Sequence, residues 1–284
     1  MQNKVLYRKK LLETFKSFDL FCRDHKIKYY AAYGTLIGAV RHRGIIPWDD
    51  DIDVWMLPED YYRFCSFKGE VDSHYDIIDS NNDNYWLLSL VKYVDTNTTL
   101  WEVEHFPCVT GVYIDIFKLD SCDSSMALQL RKEYDKVSYN LTYSMMKHTL
   151  GQYKNALFGF HFHTLFRYII ESLYYKPRYK KYLSEYKNIR SKIESTNGGY
   201  MVSFDGLYGE KEVFKKEWFD NMIRLSFEGL EISAPSEYDK ILKKLYGNYM
   251  ELPPEDKRIS HHSHYFLDLN RHLSIDEIKY RKGH

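Results

Sequence analysis

The fold of this chain is decided by residues 34–53, which read GTLIGAVRHRGIIPWDDDID. A Gly-Thr pair opens the stretch, a run with helical spacing follows, and a turn at Pro47-Trp48 leads to four aspartates within five positions. Residues 27–33, just upstream, form a short aromatic run that predicts a strand. The sequence therefore predicts a strand, a glycine turn and a helix, and then an acidic strand over residues 49–55.

The acidic run predicts a site for a divalent cation. Alternate side chains of a strand share one face, so we expect Asp49, Asp51 and Asp53 to point the same way. Like charges packed this closely are destabilising unless a cation lies between them, and carboxylate oxygens select Mg²⁺ or Mn²⁺. The alternative is a solvated acidic turn, but apolar residues at 52, 54 and 55 favour a partly buried strand.

A second apolar run, residues 112–117, contains one acid, Asp115. A lone buried carboxylate is costly unless it is paired or bound to metal. Beside Asp51 and Asp53 it would complete a three-carboxylate cluster able to hold one or two metal ions for in-line phosphoryl transfer. The alternative is a structural aspartate bonded to backbone amides.

The Gly34-Thr35 turn is a candidate phosphate site. A strand followed by a glycine turn and a helix presents backbone N–H groups to a phosphate. Arg41 and Arg43 follow closely, and guanidinium groups bind phosphate oxygens in a bidentate manner. The turn could equally serve packing, and the arginines could pair with the acidic strand.

Composition excludes several classes of protein. The chain has 284 residues, 44% of them hydrophobic, and its 40 Lys and Arg balance 40 Asp and Glu, so neither a disordered chain nor a nucleic-acid partner is expected. Four dispersed cysteines predict buried, reduced thiols in a cytosolic protein. The first residues lack the apolar region of a secretory signal, and no stretch is apolar enough to predict a transmembrane span. We therefore expect a cytoplasmic protein.

The pattern of elements predicts a mixed α/β or α+β fold in two parts. Residues 1–120 are expected to form an α/β core with an N-terminal amphipathic helix. Residues 121–284 are expected to form a mainly helical region with a β-hairpin near 222–232 that packs back on the core.

Residues 34–53 resemble the signature of the LicD family, whose distant relatives include fukutin and fukutin-related protein. The resemblance extends to YIDIF at 113–117, FEG at 227–229, YGNYM at 246–250, LPP at 252–254 and Arg258, whereas residues 122–200 match no motif. It implies a nucleotidyltransferase-like core and phosphotransferase activity.

The resemblance also implies roles for individual residues. Asp51 and Asp53 would be the metal-binding pair, and Asp115 the third carboxylate, as metal ligand or as base for the acceptor hydroxyl, with Mg²⁺ or Mn²⁺ as cofactor. Tyr33 stands where a typical member has glycine. The candidate phosphate-binding residues are Gly34, Thr35, Arg41, Arg43, Lys92, Arg258 and His261. An exposed strand-edge lysine is the alternative for Lys92, and an exposed polar segment is the alternative for the histidines near 261.

Bacterial LicD proteins are associated with moving phosphocholine from CDP-choline to a surface glycan precursor or teichoic acid. The resemblance therefore implies transfer of a phospho-alcohol, with phosphocholine as the best candidate, from a CDP-alcohol to a lipopolysaccharide or teichoic acid precursor. Phosphoethanolamine, phosphoglycerol and phosphoribitol are alternatives. The Asp-x-Asp pair also suits a nucleotide-sugar glycosyltransferase, and a third hypothesis is a nucleotide-binding module without turnover.

Two further features bear on partners. Quaternary ammonium groups bind in aromatic cages, and Tyr246 and Tyr249 are candidates for one. Residues 176–192 contain seven bases and one acid, which suits an anionic membrane surface or a polyanionic glycan as well as a solvated helix face. Peripheral contact with the inner face of a membrane is therefore a further hypothesis.

Overall fold

The structure, a computed structural model, describes residues 2–72, 74–79, 90–104, 106, 108–260 and 264–282. It confirms the mixed α+β fold. The helices are α1 Gln2–Asp24, α2 Tyr33–Ile37, α3 Pro58–Ser66, α4 Ser124–Met145, α5 Leu150–Phe158, α6 Phe162–Ile170, α7 Tyr179–Glu194, α8 Tyr238–Tyr246 and α9 Ile275–Lys282. The strands are β1 Tyr30–Ala31, β2 Asp53–Met56, β3 Tyr75–Ile78, β4 Val91–Asp95, β5 Thr99–Trp101, β6 Tyr113–Cys122, β7 Tyr200–Ser203, β8 Val213–Lys215, β9 Met222–Phe227, β10 Leu230–Pro235 and β11 Phe266–Asp268.

A seven-stranded sheet forms the centre of the molecule. Its main path runs β1-β2-β6-β4-β3, and β7 and β8 extend it from the far half of β6. The β2–β6 pair is parallel, and β6 pairs antiparallel with both β4 and β7. The parallel register places Asp53 opposite Asp115, and the antiparallel register places Lys92 opposite Asp115 from the other side. The sheet therefore brings three charged residues into one row.

Helix α1 covers one face of this sheet, as its periodicity predicts. Leu11, Phe15, Phe18 and Cys22 recur at helical spacing and are all buried in the main core. The Phe18 ring meets the Tyr93 ring of β4 edge to face at 5.7 Å between centroids. This packing positions the strand that carries Lys92.

The structure corrects two predicted strands. Only Tyr30 and Ala31 of residues 27–33 pair in the sheet, and Tyr33, with a left-handed φ of 42°, begins α2. The acidic strand begins at Asp53 rather than at residue 49. The expectation that Asp49, Asp51 and Asp53 alternate along one strand is therefore wrong, because the first two precede it in a turn-containing segment.

Within the region predicted to be mainly helical, residues 121–284, the helices α4 to α7 occupy residues 124–194. A π-helical turn at Glu171–Tyr175 and a 3₁₀ turn at Lys176–Arg178 connect α6 to α7. Helices α4 and α7 pack together around a second core that contains Leu130 and Ile193. The predicted boundary at residue 120 falls inside β6, which joins both parts of the sheet, so the division into two domains stays a prediction.

The β9–β10 hairpin closes with two residues of positive φ, Glu228 at 52° and Gly229 at 76°, which is the geometry of a tight two-residue hairpin turn. Its turn docks on the segment that leads to the aspartates. The Glu228 N–H donates to the Arg43 carbonyl at 2.9 Å, and Glu228 Oε1 accepts from the Ile45 N–H at 3.0 Å. A side chain at Gly44 would meet Glu228 Oε1 at 2.5 Å, so glycine is required for this close approach.

The four cysteines are free thiols in the structure, and three of them are buried. Among the described residues, no helix combines the length and the apolar character that a membrane crossing requires.

Candidate active site

A cavity of about 730 Å³ opens beside the carboxyl-rich end of β2 and β6. It is lined by the acids Asp49, Asp51, Asp53, Asp115, Asp205 and Glu251, by Gly34, Arg41 and Gly206, by the aromatic residues Tyr33, Trp48, Phe117, Tyr208, Tyr246 and Tyr249, and by Ile37, Ile46, Leu90, Leu207, Asn248, Leu252, Pro253 and Pro254. All four acids named from the sequence thus reach one cavity.

Two elements bring these carboxylates together. The parallel pairing of β2 and β6 sets Asp53 beside Asp115, and the turn before β2 supplies Asp49 and Asp51. Asp49 lies against the glycine turn, because a Cβ built on Gly34 would meet Asp49 Oδ2 at 2.6 Å. The missing side chain of Gly34 therefore leaves the space that the carboxylate occupies.

The electrostatics of Asp53 reflect this crowding. Burial raises the pKa of Asp53 well above its ordinary value, and the charges of Asp51, Asp115 and Asp49 raise it further. Lys92 opposes the shift. Without a bound cation the site therefore carries more negative charge than its burial can easily accommodate.

Lys92 is the cationic counterpart of Asp115. Its Nζ lies 2.5 Å from Asp115 Oδ1 and 3.2 Å from the centre of the Tyr113 ring. Lys92 is only 2% exposed on an inner strand, so the alternative of an exposed edge lysine is wrong. A contact of Lys92 with phosphate stays a prediction.

The donor set fits a hard divalent cation, since carboxylate oxygens from two strands and a turn face one cavity. In the described part of the chain, however, no three His, Cys, Asp or Glu side chains already form a compact ligand group. The carboxylates therefore face one cavity but are not close enough together to form a ligand group. Repulsion between like charges at Asp53 is a physical reason for this spacing. The metal roles of Asp51, Asp53 and Asp115 stay predictions.

Thr35 has a structural partner. Its buried hydroxyl oxygen accepts a hydrogen bond from the Asp53 N–H at 2.9 Å. This bond ties the glycine turn to the first residue of β2. Gly34 itself lines the cavity, so the turn remains the candidate phosphate contact.

The basic residues that were predicted to bind phosphate do not all lie at the cavity. Arg41 lines the cavity, and its Nη1 donates to the carbonyls of Tyr249 at 2.5 Å and Glu251 at 3.0 Å. Burial lowers the pKa of Arg41, and the neighbouring Arg258 lowers it further. Arg258 stacks over the Trp48 ring at 5.7 Å. Neither Arg258 nor the exposed Arg43 is among the described residues that line the cavity, and His261 lies outside the described residues.

Sequence reasoning missed the wall formed by residues 205–208. This segment follows β7 and places Asp205, Gly206, Leu207 and Tyr208 at the cavity. The Tyr208 ring lies 5.0 Å from that of Tyr246. The Asp205-Gly206 dipeptide indicates a turn, but nothing local in the sequence shows that the turn lies beside β2.

Tyr33 connects this wall to the glycine turn. Its hydroxyl donates to Glu212 Oε1 at 2.5 Å and lies 2.9 Å from Ser203 Oγ, and Glu212 Oε2 accepts from Arg131 Nη1 at 2.9 Å. Burial raises the pKa of Tyr33 well above its ordinary value, as does Glu212. The residue at the position where the resemblance implies a glycine is thus anchored by a buried polar network.

Comparison with known proteins defines the class. Residues 26–154 match the sequence model of the LicD/FKTN/FKRP nucleotidyltransferase domain. Over these residues the chain is therefore similar to a LicD-family nucleotidyltransferase domain, as its resemblance implied.

Individual relatives extend the match beyond that domain. Over 266 residues the chain is 28% identical to the lipopolysaccharide cholinephosphotransferase LicD of Haemophilus influenzae, an alignment that covers 91% of this chain and 97% of that protein. A stretch of 54 residues is 55% identical to an uncharacterized protein of Rickettsia typhi and covers 19% of this chain and 18% of that protein. A stretch of 50 residues is 58% identical to an uncharacterized protein of Rickettsia prowazekii, covering 18% and 19% respectively.

Proposed function

We propose that this protein is a metal-dependent phosphotransferase that moves a phospho-alcohol from a CDP-alcohol to a hydroxyl of a cell-surface glycan precursor. The observation that carries the proposal is the register of β2 and β6, which sets Asp53 beside Asp115 at the cavity next to Gly34. Similarity over most of the chain to a lipopolysaccharide cholinephosphotransferase supports phosphocholine as the transferred group.

The residues fit a division of roles. Asp51 and Asp53 would hold Mg²⁺ or Mn²⁺, with Asp115 as a third ligand or as the base. The cation would neutralise the negative charge of the donor diphosphate. A phosphate oxygen would approach the backbone of Gly34, which lines the cavity beside Asp49, and Arg41 supplies positive charge at the same wall.

In the proposed reaction, the acceptor hydroxyl oxygen attacks the β-phosphorus of the donor, and the bond from that phosphorus to the bridging oxygen breaks. CMP leaves with the electron pair, and the hydroxyl proton passes to Asp115. Lys92, 2.5 Å from Asp115 Oδ1, orients this carboxylate and stabilises its charged form. Most of the rate enhancement would come from positioning and electrostatics.

The aromatic wall supports a cationic alcohol. Tyr208 and Tyr246 lie edge to face at 5.0 Å, and Trp48 and Tyr249 line the same cavity. A quaternary ammonium is attracted to the faces of such rings, and choline carries that group. The transferred alcohol would therefore lie against these rings while its phosphate faces the carboxylates.

The test is mass spectrometry of CMP and product formed from CDP-choline, CDP-ethanolamine, CDP-glycerol and CDP-ribitol with Mg²⁺ and a lipopolysaccharide or teichoic acid precursor. We expect CMP release and transfer with CDP-choline, loss of both with EDTA, and loss of both in Asp51→Asn.

Two other results would contradict the proposal. Turnover of UDP-sugars in place of CDP-alcohols would identify a glycosyltransferase. Calorimetric binding of donor without any product would identify a nucleotide-binding module.

A further inference from the structure

Helices α5 and α6, together with the π-helical turn that follows α6, form a helical hairpin over residues 150–175. The outer face of this helical hairpin is strongly apolar. Its most exposed large side chains are Leu150, Phe158, Phe160, Phe162, Phe166 and Leu173, which are 59% to 80% exposed. Single exposed apolar residues are common on protein surfaces, but a contiguous group of them marks an interaction site.

The tip of the helical hairpin is built to project aromatic rings. Helix α5 ends at Phe158 and α6 begins at Phe162, and between them Phe160 has a left-handed φ of 57°. Bulky residues rarely adopt this conformation. The rings of Phe160 and Phe162 meet edge to face with centroids 6.0 Å apart. A strained backbone therefore holds an aromatic pair in water at the end of the hairpin.

The inner face of the helical hairpin is firmly packed, so the apolar outer face is not the consequence of a loose helix. The His148 ring stacks on Tyr168 at 4.0 Å, and its Nε2 lies 2.5 Å from Glu171 Oε2. The Tyr153 and Ser172 hydroxyls lie 2.6 Å apart. These partly buried contacts hold the segment together on its inner side.

The helical hairpin and the residues that flank it carry mostly positive charge. Residues 147–181 contain seven Lys and Arg against a single acid, Glu171, which is buried. Lys176, Arg178, Lys180 and Lys181 follow the hairpin directly and are exposed. Apolar side chains flanked by bases are typical of helices that lie in the interface of an anionic bilayer.

We propose that the outer face of the helical hairpin docks on the surface of a bilayer that contains anionic lipids. Phe158, Phe160 and Phe162 enter the boundary between headgroups and acyl chains, and the bases beyond Leu173 contact the headgroups. A second copy of this chain is a poorer occupant, because a symmetric dimer would bring two sets of seven bases together. The contact is peripheral, since no described helix could cross the membrane.

The experiment is flotation of the full chain with phosphatidylcholine vesicles that contain phosphatidylglycerol. We expect Phe160→Ser to weaken the partition coefficient by about tenfold or more, because it removes a phenyl group from the apolar boundary. The matched control is Val5→Ser, at a residue of α1 that is 69% exposed, which should leave partitioning unchanged. Melting temperature and circular dichroism of both variants should equal those of the wild type, since both residues are on the surface.

A second comparison tests the contribution of the basic residues that follow the helical hairpin. Lys180→Ala should weaken binding to anionic vesicles by about fivefold and leave the weaker binding to pure phosphatidylcholine nearly unchanged. Absence of vesicle binding at every lipid composition would overturn the proposal, and so would equal loss in Phe160→Ser and Val5→Ser. Light scattering that shows a dimer lost in Phe160→Ser, together with no vesicle binding, would assign this face to a second copy instead.

Discussion

At the scale of single residues, the position of Asp115 in the cavity wall is set by two strand pairings. It lies opposite Asp53 on one neighbouring strand and opposite Lys92 on the other, and in-register side chains of paired strands share a face. One carboxylate therefore meets both a like and an opposite charge.

We expect Asp115→Asn to lower the rate of transfer by about 10²-fold or more, the size typical of removing a general base. Donor binding should survive better than in Asp51→Asn, because Asp51 and Asp53 remain. CMP release measures the rate, and calorimetry with a non-hydrolysable CDP-alcohol analogue measures donor binding. The matched control is Asp50→Asn, whose carboxylate accepts from the Ser260 hydroxyl at 2.6 Å and does not line the cavity.

Two outcomes would change the role assigned to Asp115. If Asp115→Asn loses donor binding as fully as Asp51→Asn, Asp115 is chiefly a metal ligand and another group is the base. If turnover is normal, Asp115 is structural and the three-carboxylate site is disproved.

The candidate carboxylates could be predicted from the sequence because charged residues inside apolar runs are locally visible. The anchor of Tyr33 could not, since Glu212, Ser203 and Arg131 are distant in sequence and their contacts exist only after the chain folds. The position of Lys92 was predicted as a phosphate contact, but its ion pair with Asp115 depends on strand register, which a single sequence leaves open.

At the scale of elements, the segment before β2 shows why the alternating aspartates predicted the wrong local structure. Four aspartates in five positions fit a strand pattern, yet only Asp53 lies in one. Instead, a hydrogen bond from the Asp49 N–H to the Ile46 carbonyl closes a turn. Just before this turn, the Glu228 carboxylate accepts a hydrogen bond from the Ile45 N–H. Asp49 and Asp51 still line the cavity with Asp53. The aspartates therefore lie together as predicted, although they do not lie along one strand.

We expect Gly34→Ala to leave the fold intact and to weaken donor binding by about tenfold or more. The new Cβ would meet Asp49 Oδ2 at 2.6 Å, and the carboxylate, as the end of a flexible side chain, can move away. Its movement changes the cavity at the turn where a phosphate would approach. Calorimetry of donor binding and the melting temperature provide the two measurements.

A double-mutant cycle with Asp49→Ala separates two causes of this loss. If displacement of Asp49 is the cause, Gly34→Ala should have little further effect in the Asp49→Ala background. If the losses simply add, the Cβ blocks the ligand itself. Gly151→Ala is the control, because the nearest atom to its new Cβ lies 3.8 Å away.

At the scale of the whole molecule, we expect the crowded carboxylates to link stability to pH and to cations. The pKa of Asp53 is raised in the folded state by burial and by Asp51, Asp115 and Asp49. Its contribution to the free energy of unfolding is therefore fully present below the unfolded pKa, about 4. That contribution is lost as pH rises through the higher folded pKa.

We expect Asp53→Asn in EDTA to melt at a higher temperature than the wild type at neutral pH, with the difference shrinking as pH falls towards about 4. Adding Mg²⁺ or Mn²⁺ should raise the melting temperature of the wild type, since about a hundredfold excess over Kd stabilises by roughly 2.7 kcal/mol. The same addition should not affect Asp53→Asn. Differential scanning calorimetry provides the curves, and an equal response of both proteins to the cation would disprove the metal site.

Strand β6 has a consequence for how the protein folds. It pairs with β2 and β4, which come earlier in the chain, and with β7, which follows only after the four helices α4 to α7. Closing such long loops before native pairing is gained slows folding, as does parallel pairing of distant strands. Because Asp115 lies in β6, the row of Asp53, Asp115 and Lys92 forms only once β6 has paired with β2 and β4. Recovery of activity during refolding should therefore lag behind the recovery of helical circular dichroism.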